Sequence, residues 1–430
     1  MVLLLQRKNY TIMKEEFIYY LWENRLLSKD LHTVDGDEVS VVSVGVRNYD
    51  AGPDYLDARI RIGKTLWVGH VEMHVNASDW FKHGHQDDDA YRNVVLHVVY
   101  HNDCEQLDIP TVEIDGKFDE SILAQYEGFL KSRLWIPCEK MIANVQQFTW
   151  MSWLERIVVE RLEVEVKDVS DRLVENNYDW EETLYQRVMR YLGMKVNNDA
   201  FERLAQLLPL KILRKHIDNV LQVEAMIFGC AGFLEQSFAE DYPKLLQREF
   251  KILKSKFNLV SMPMAYWKFL RMRPPNFPTI RLAQTASLIC SCDTLFSKLL
   301  SISDLDTIRT MFDVEANEYW DTHFVFGKPS KKMKKTLGTT AVDVLIINAI
   351  VPVLFYYGIY HDDQNLKNRS LRFLEKMEPE DNLVIRNFRK MGVNVRNAQQ
   401  SQALLHLYNC YCKKRKCLCC RVFGACLKNL

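Results

Sequence analysis

Leu56, Ala58, Ile60 and Ile62 alternate with Asp57, Arg59 and Arg61. A period of two of this kind belongs to a strand with one buried face. Gly63-Lys64 is a turn signal. The returning strand then sets Val71, Met73 and Val75 on one face and His70, Glu72 and His74 on the other. Gly52-Pro53-Asp54 enters this hairpin, so the Asp54 carboxyl can face Glu72 and two histidines on the neighbouring strand. Carboxylates are hard oxygen ligands, and a nearby histidine binds metal or moves protons, so the grouping suits a divalent cation. The bland alternative is a structural hairpin in which Glu72 pairs with Arg59 or Arg61.

The hairpin sits inside a short α/β pattern. Met13 to Leu27 reads as an amphipathic helix with Phe17, Tyr20, Leu21 and Trp22 inward, and Val39 to Val46 reads as a strand. Asp79 to Arg92 is polar, irregular or one short helix. Val94 to Tyr100 is nearly continuous apolar sequence, as expected of a strand buried on both faces, and Thr111 to Ile114 is a further strand candidate. After Asp119 the texture changes to helical periodicity, in segments 119–133, 150–175, 180–193, 198–208, 217–238, 243–256, 280–300, 341–358, 364–377 and 397–412. The expected organisation is an α/β domain over 13–120, a helical domain over 121–409 and a Cys-rich basic tail over 410–430.

Composition narrows the class. The 430 residues are 48% hydrophobic and 26% charged, with 56 basic and 56 acidic side chains. No global field draws this chain to nucleic acid or membrane, so any such affinity is local. The apolar run Met1 to Leu5 is too short for a secretory leader, and Met13 is an alternative start. Ala341 to Tyr360 carries Asp343, Asn348 and Pro352 and reads as a buried core helix rather than a membrane span. A cytoplasmic protein without membrane association is expected, with protein partners left open.

Two clusters carry further chemistry. Six of the eleven histidines lie between His70 and His101. His97, within the buried strand, reads as a hydrogen-bonded core residue. Six of the eleven cysteines lie between Cys410 and Cys426. Cys412, Cys417 and Cys420 have the Cys-x4-Cys-x2-Cys spacing of metal thiolates. Zinc, an iron–sulfur cluster or free thiols are the alternatives, with Cys138, Cys410, Cys419 or Cys426 as fourth ligand. Arg271 and Arg273, interleaved with Trp267, Phe269 and Phe277, and Lys331 and Lys332 in a basic run are the places where a nucleic-acid backbone can lie. The same residues also suit a Pro-locked connection and a solvated loop.

The order helix, strand, Pro53-Asp54, hairpin, Glu72-Met73-His74, buried strand resembles the core of the PD-(D/E)xK nuclease superfamily. The resemblance implies a restriction-endonuclease-like mixed sheet in an α+β protein. It implies magnesium or manganese held by Asp54 and Glu72, with His74 in the place of the usual lysine as water activator or third ligand. His70, His83 and His85 would line the cleft, and Glu16 or Glu23 would be the upstream helix acid. His83-Gly84-His85-Gln86-Asp87-Asp88 resembles the zinc motif of metallo-β-lactamase-like hydrolases, with Asp88 where the final histidine stands. Ala51-Gly52-Pro53-Asp54, Val71-Glu72-Met73-His74, Ser78-Asp79-Trp80, Leu96-His97-Val98-Val99, Asn276-Phe277-Pro278 and Tyr411-Cys412 resemble an uncharacterised bacterial family, the domain of unknown function numbered twenty-eight fifty-one. Three functions are therefore expected in turn: a metal-dependent nuclease or a degenerate descendant, a non-catalytic nucleic-acid- or protein-binding helical module, and a zinc-dependent hydrolase using His83 and His85.

Overall fold

A computed structural model describes residues 13–48, 51–104 and 107–428. The readings made for Met1–Leu5 lie outside the described residues. The class is α+β, with a mixed sheet near the N-terminus and helices thereafter. The chain divides into two compact units. The first contains residues up to 153 together with 387–393 and 406–430, and the second contains 154–386 and 394–405.

The first unit begins with helix α1 (Glu15–Glu23), which buries Phe17, Ile18, Leu21 and Trp22. Arg25 takes a left-handed conformation (φ 52°) and the Leu26 amide returns to the Leu21 carbonyl at 2.8 Å, which closes the helix. Seven strands follow: β1 (Leu31–His32), β2 (Glu38–Ser43), β3 (Val46–Arg47), β4 (Tyr55–Ile62), β5 (Thr65–Asn76), β6 (Val94–His101) and β7 (Thr111–Glu113). Their order is β1-β2-β4-β5-β6-β7, with β3 beside β4. The strands β2, β4 and β5 are antiparallel, whereas β6 and β7 run parallel to β5 and to each other. A parallel step needs a crossover, and residues 77–93 supply it, with helix α2 (Asp79–Lys82) and two 3₁₀ turns.

Alternation holds through β4 except at one point. Asp57 has φ 55° and marks a bulge between Tyr55 and Ala58. An extra residue of this kind reverses the side-chain phase, so Tyr55 is buried and Leu56 only half-buried. In β5 both faces are covered from Val71 to His74. Val71 and Met73 belong to the apolar core, and Glu72 and His74 are buried on the opposite face.

The second unit is helical apart from a two-stranded ribbon, His323–Val325 with Lys328–Pro329. The helical segment Thr339–Tyr360 is long and apolar enough to cross a membrane by composition, but 61% of its most apolar window is buried within the protein. Pro352 has no amide to offer the Asn348 carbonyl four residues earlier. The helix widens to π geometry over Ile346–Ile350, and Arg187 donates to that carbonyl at 2.8 Å.

Candidate metal centre

The site is built from three consecutive pieces of the first unit: the entry to β4, the buried half of β5, and the crossover to β6. Asp54 and Glu72 are fixed by an exchange between strands. The Asp54 amide donates to Glu72 Oε2 at 3.0 Å, and the Met73 amide donates to Asp54 Oδ2 at 3.0 Å. The two acids are thus brought together, and Glu72 makes no pair with Arg59 or Arg61 among its described contacts.

The crossover brings two more histidines onto His74. His74 Nε2 lies 3.1 Å from His83 Nδ1 and 3.5 Å from Glu72 Oε1. His85 Nε2 lies 3.4 Å from the same carboxyl oxygen. Ligands placed about 2.0–2.2 Å from a tetrahedral ion stand about 3.3–3.6 Å apart. His74, His83 and His85 are the one group of three or more His, Cys, Asp or Glu side chains, among the described residues, whose ligand atoms all lie within 4.8 Å of one another. His85 Nε2 is buried without a hydrogen-bond partner.

Gly84 makes this convergence possible. It adopts φ 74°, a left-handed conformation that turns the chain between His83 and His85. The His85 ring is then clamped: Tyr91 stacks on it at 3.8 Å, and Trp80 meets its edge at 5.3 Å. On the far side of His74, Nδ1 lies 2.8 Å from Nε2 of the fully buried His97. A metal on His74 Nε2 requires the proton on Nδ1, and His97 is placed to accept it.

Burial dominates the electrostatics. It pushes Glu72 well above the ordinary carboxyl range, with Asp54 adding to the rise, and it raises Asp54 as well. It lowers His74 to about 3 and His97 to about 4, with neighbouring histidines adding to both. These imidazoles are therefore neutral near pH 7, the form that binds metal.

A second layer stands beside Asp54. The Tyr19 hydroxyl is in hydrogen-bonding contact with Asp54 and lies 3.4 Å from Glu15 Oε2, and Arg47 covers the Tyr19 ring at 3.9 Å. The helix acid turned toward the site is Glu15, which interacts with Asp54 and His83. Glu23 instead accepts from Tyr55 at 3.0 Å and pairs with Arg47. The sequence signal for Glu15 was available only in the α1 helical phase, because Glu15, Tyr19 and Trp22 share a face.

The other expected residues lie elsewhere. His70 Nδ1 faces the Asp57 amide at the β4 bulge, at 3.4 Å. Asp88 caps the second 3₁₀ turn through the Ala90 amide. Cys138, Cys412, Cys417 and Cys420 are in the first unit, away from the histidine group. Arg271, Arg273, Lys331 and Lys332 are exposed in the second unit. The aromatics near Arg271 are engaged in packing: Trp267 is buried and donates to the Ala231 carbonyl at 2.8 Å, and Phe269 meets Phe277 edge-on. Lys332 lines an open cavity with Lys334, Glu224 and Tyr242.

Comparison with known proteins adds a family and no activity. A family model described as protein of unknown function (DUF2851) matches residues 15–383. No curated protein and no solved structure matches.

Proposed function

Because the chain belongs to the DUF2851 family, whose description assigns no activity, we propose from the site alone that it is a metal-dependent hydrolase of phosphodiesters, a nuclease. The observation that carries this reading is the convergence of Glu72 Oε1, His74 Nε2, His83 Nδ1 and His85 Nε2 at the spacing of a tetrahedral ion. Three imidazoles and one carboxylate favour a transition metal such as zinc over magnesium, which prefers an all-oxygen shell. Phosphodiester as substrate follows from the sheet. Asp54 at the head of β4, Glu72-Met73-His74 on β5 and a crossover to parallel β6 repeat the arrangement that the PD-(D/E)xK resemblance implies.

A bound divalent ion supplies Lewis acidity toward a phosphoryl oxygen and a nucleophilic water near neutral pH. The chain's own residues then have distinct tasks. His74, His83 and His85 act as neutral ligands, and His97 holds the His74 ring in the tautomer that leaves Nε2 free. Glu72 completes the set through Oε1 while Oε2 remains on the Asp54 amide. Asp54, buried beside Tyr19 and Glu15, is the proton acceptor nearest the ligand set. Trp80 and Tyr91 limit water around His85.

The test is cleavage of plasmid DNA, single-stranded DNA, RNA and an activated phosphodiester by the full chain after dialysis against chelator, with zinc, manganese or magnesium restored separately. Glu72→Ala and His85→Ala are expected to lower both metal content and cleavage, by about a hundredfold or more. Undiminished cleavage in Glu72→Ala would sink the reading. Cleavage supported by magnesium alone and unaffected by His85→Ala would move the metal to Asp54 and Glu72. Binding of nucleic acid that ignores both substitutions and falls with Arg271→Ala and Arg273→Ala would replace catalysis with a binding module.

A further inference from the structure

We propose that Cys138, Cys412, Cys417 and Cys420 hold an iron–sulfur cluster that ties the C-terminal segment to the first compact unit. The Cys-x4-Cys-x2-Cys run leaves the fourth ligand open, and the fold assigns it. Cys138 lies in the turn that follows Ile136, where its carbonyl accepts from the Met141 and Ile142 amides. Each of the four thiols lies within electrostatic reach of the other three. Cys412 meets Cys138, Cys417 and Cys420; Cys417 meets Cys138 and Cys420; and Cys420 meets Cys138. Cys426 is instead in thiol contact with Cys138 from one side, and Cys419 is exposed.

The local backbone suits thiolates. Cys412 ends a π turn (Leu407–Cys412), Arg415 takes a left-handed conformation (φ 53°), and Cys417 opens a 3₁₀ turn (Cys417–Cys419). Cys420 precedes the helix Arg421–Lys428, whose Val422 and Phe423 amides point at its sulfur. Amide hydrogen bonds and a helix N-terminus both stabilise a sulfur anion. The tail from Cys410 to Leu430 carries six Lys and Arg and no acid, which offsets the charge of four thiolates. None of these cysteines is in a disulfide. Packing as small apolar side chains accounts for their burial. It does not account for four thiols from separate turns gathered at one point.

Spacing separates a cluster from a single ion. One zinc ion, with Zn–S near 2.3 Å, holds its sulfurs about 3.8 Å apart. Among the described residues no three cysteine sulfurs lie within 4.8 Å of one another, since the histidine trio alone meets that limit. The cysteines stand further apart than one ion tolerates, as the ligands of several irons do.

The experiment is anaerobic purification of the full chain, reconstitution with ferrous iron and sulfide, and measurement of iron, acid-labile sulfide and visible charge-transfer absorption. About four irons and four sulfides per chain are expected. Cys417→Ser should abolish them, Cys104→Ser and Cys292→Ser should retain them, and His85→Ala should retain them as well, which separates this centre from the histidine site. The wild-type measurement stands even if Cys417→Ser misfolds. Zinc that disappears with Cys417→Ser, or no iron and sulfide retained after reconstitution, would overturn the proposal.

Discussion

The histidine and cysteine groups belong to the same compact unit and are assembled in opposite ways. The histidine group is local: Glu72, His74, His83, His85 and His97 lie on one strand, its crossover and the next strand. Its ligand atoms are packed at 3.1–3.5 Å. The cysteine group joins a turn after α3 (Glu120–Lys131) to the end of the chain, and its sulfurs are spread more widely. Local assembly gives a rigid, close set that suits one ion. Distant assembly needs a clamp, and Arg415 is one: it donates to the Phe129 and Leu130 carbonyls at 2.9 Å and to the Ser132 carbonyl at 2.6 Å, at the C-terminal end of α3. Phe423 adds an edge-on ring contact to Phe129 at 4.8 Å.

If the two groups are independent, a change behind one should leave the other untouched. The largest such effect is expected from His97→Leu, which removes the partner of His74 Nδ1 without removing a ligand. Loss of an outer-shell partner costs about 10–100-fold in metal affinity. Zinc titration of the variant should show that loss while iron and sulfide content stays unchanged. Equal zinc affinity would mean that His97 only fills space. Arg415→Ala is the converse. Three hydrogen bonds from one guanidinium to helix-end carbonyls are worth about 2 kcal/mol together. Denaturant unfolding should show that destabilisation, and reconstituted iron content should fall while zinc affinity holds. A variant that loses zinc instead would break the separation.

Legibility in the sequence followed the same division. The hairpin, the buried strand β6 and most helical segments were readable because each rests on a short-range period. One failure inside the hairpin was the Asp57 bulge, where a single left-handed residue reverses the phase and puts Tyr55 rather than Leu56 in the core. The stretch 280–300 divides into Pro278–Ser291 and Leu295–Ser301 because the chain leaves helical geometry at Cys292, with φ −145°. For the site, Asp54, Glu72 and His74 were visible from strand phase alone. The meeting of His83 and His85 with His74 was not, since it depends on how the crossover folds back over β5. Nor was Glu15 separable from Glu16 and Glu23 while the orientation of α1 was unknown. Cys138 stood as one of several fourth ligands until the fold brought the C-terminal segment to it.

The smallest expected effect falls on the residue that lets the local group close. Gly84 has φ 74°, and a Cβ placed there would meet nothing within 4 Å. Gly84→Ala therefore introduces no clash. Its cost is conformational, about 1 kcal/mol for a left-handed residue that is not glycine. Because the turn between His83 and His85 carries that strain, the cost is expected in metal binding as well as in stability. Zinc affinity should fall about fivefold, since 1.4 kcal/mol corresponds to a factor of ten. Gly84→Asn should recover part of the loss, because asparagine tolerates this conformation better than alanine. If alanine and asparagine bind zinc as tightly as glycine, the His83–His85 turn is not held in this conformation when metal binds. The ligand set would then be assembled by the ion rather than presented to it by the fold.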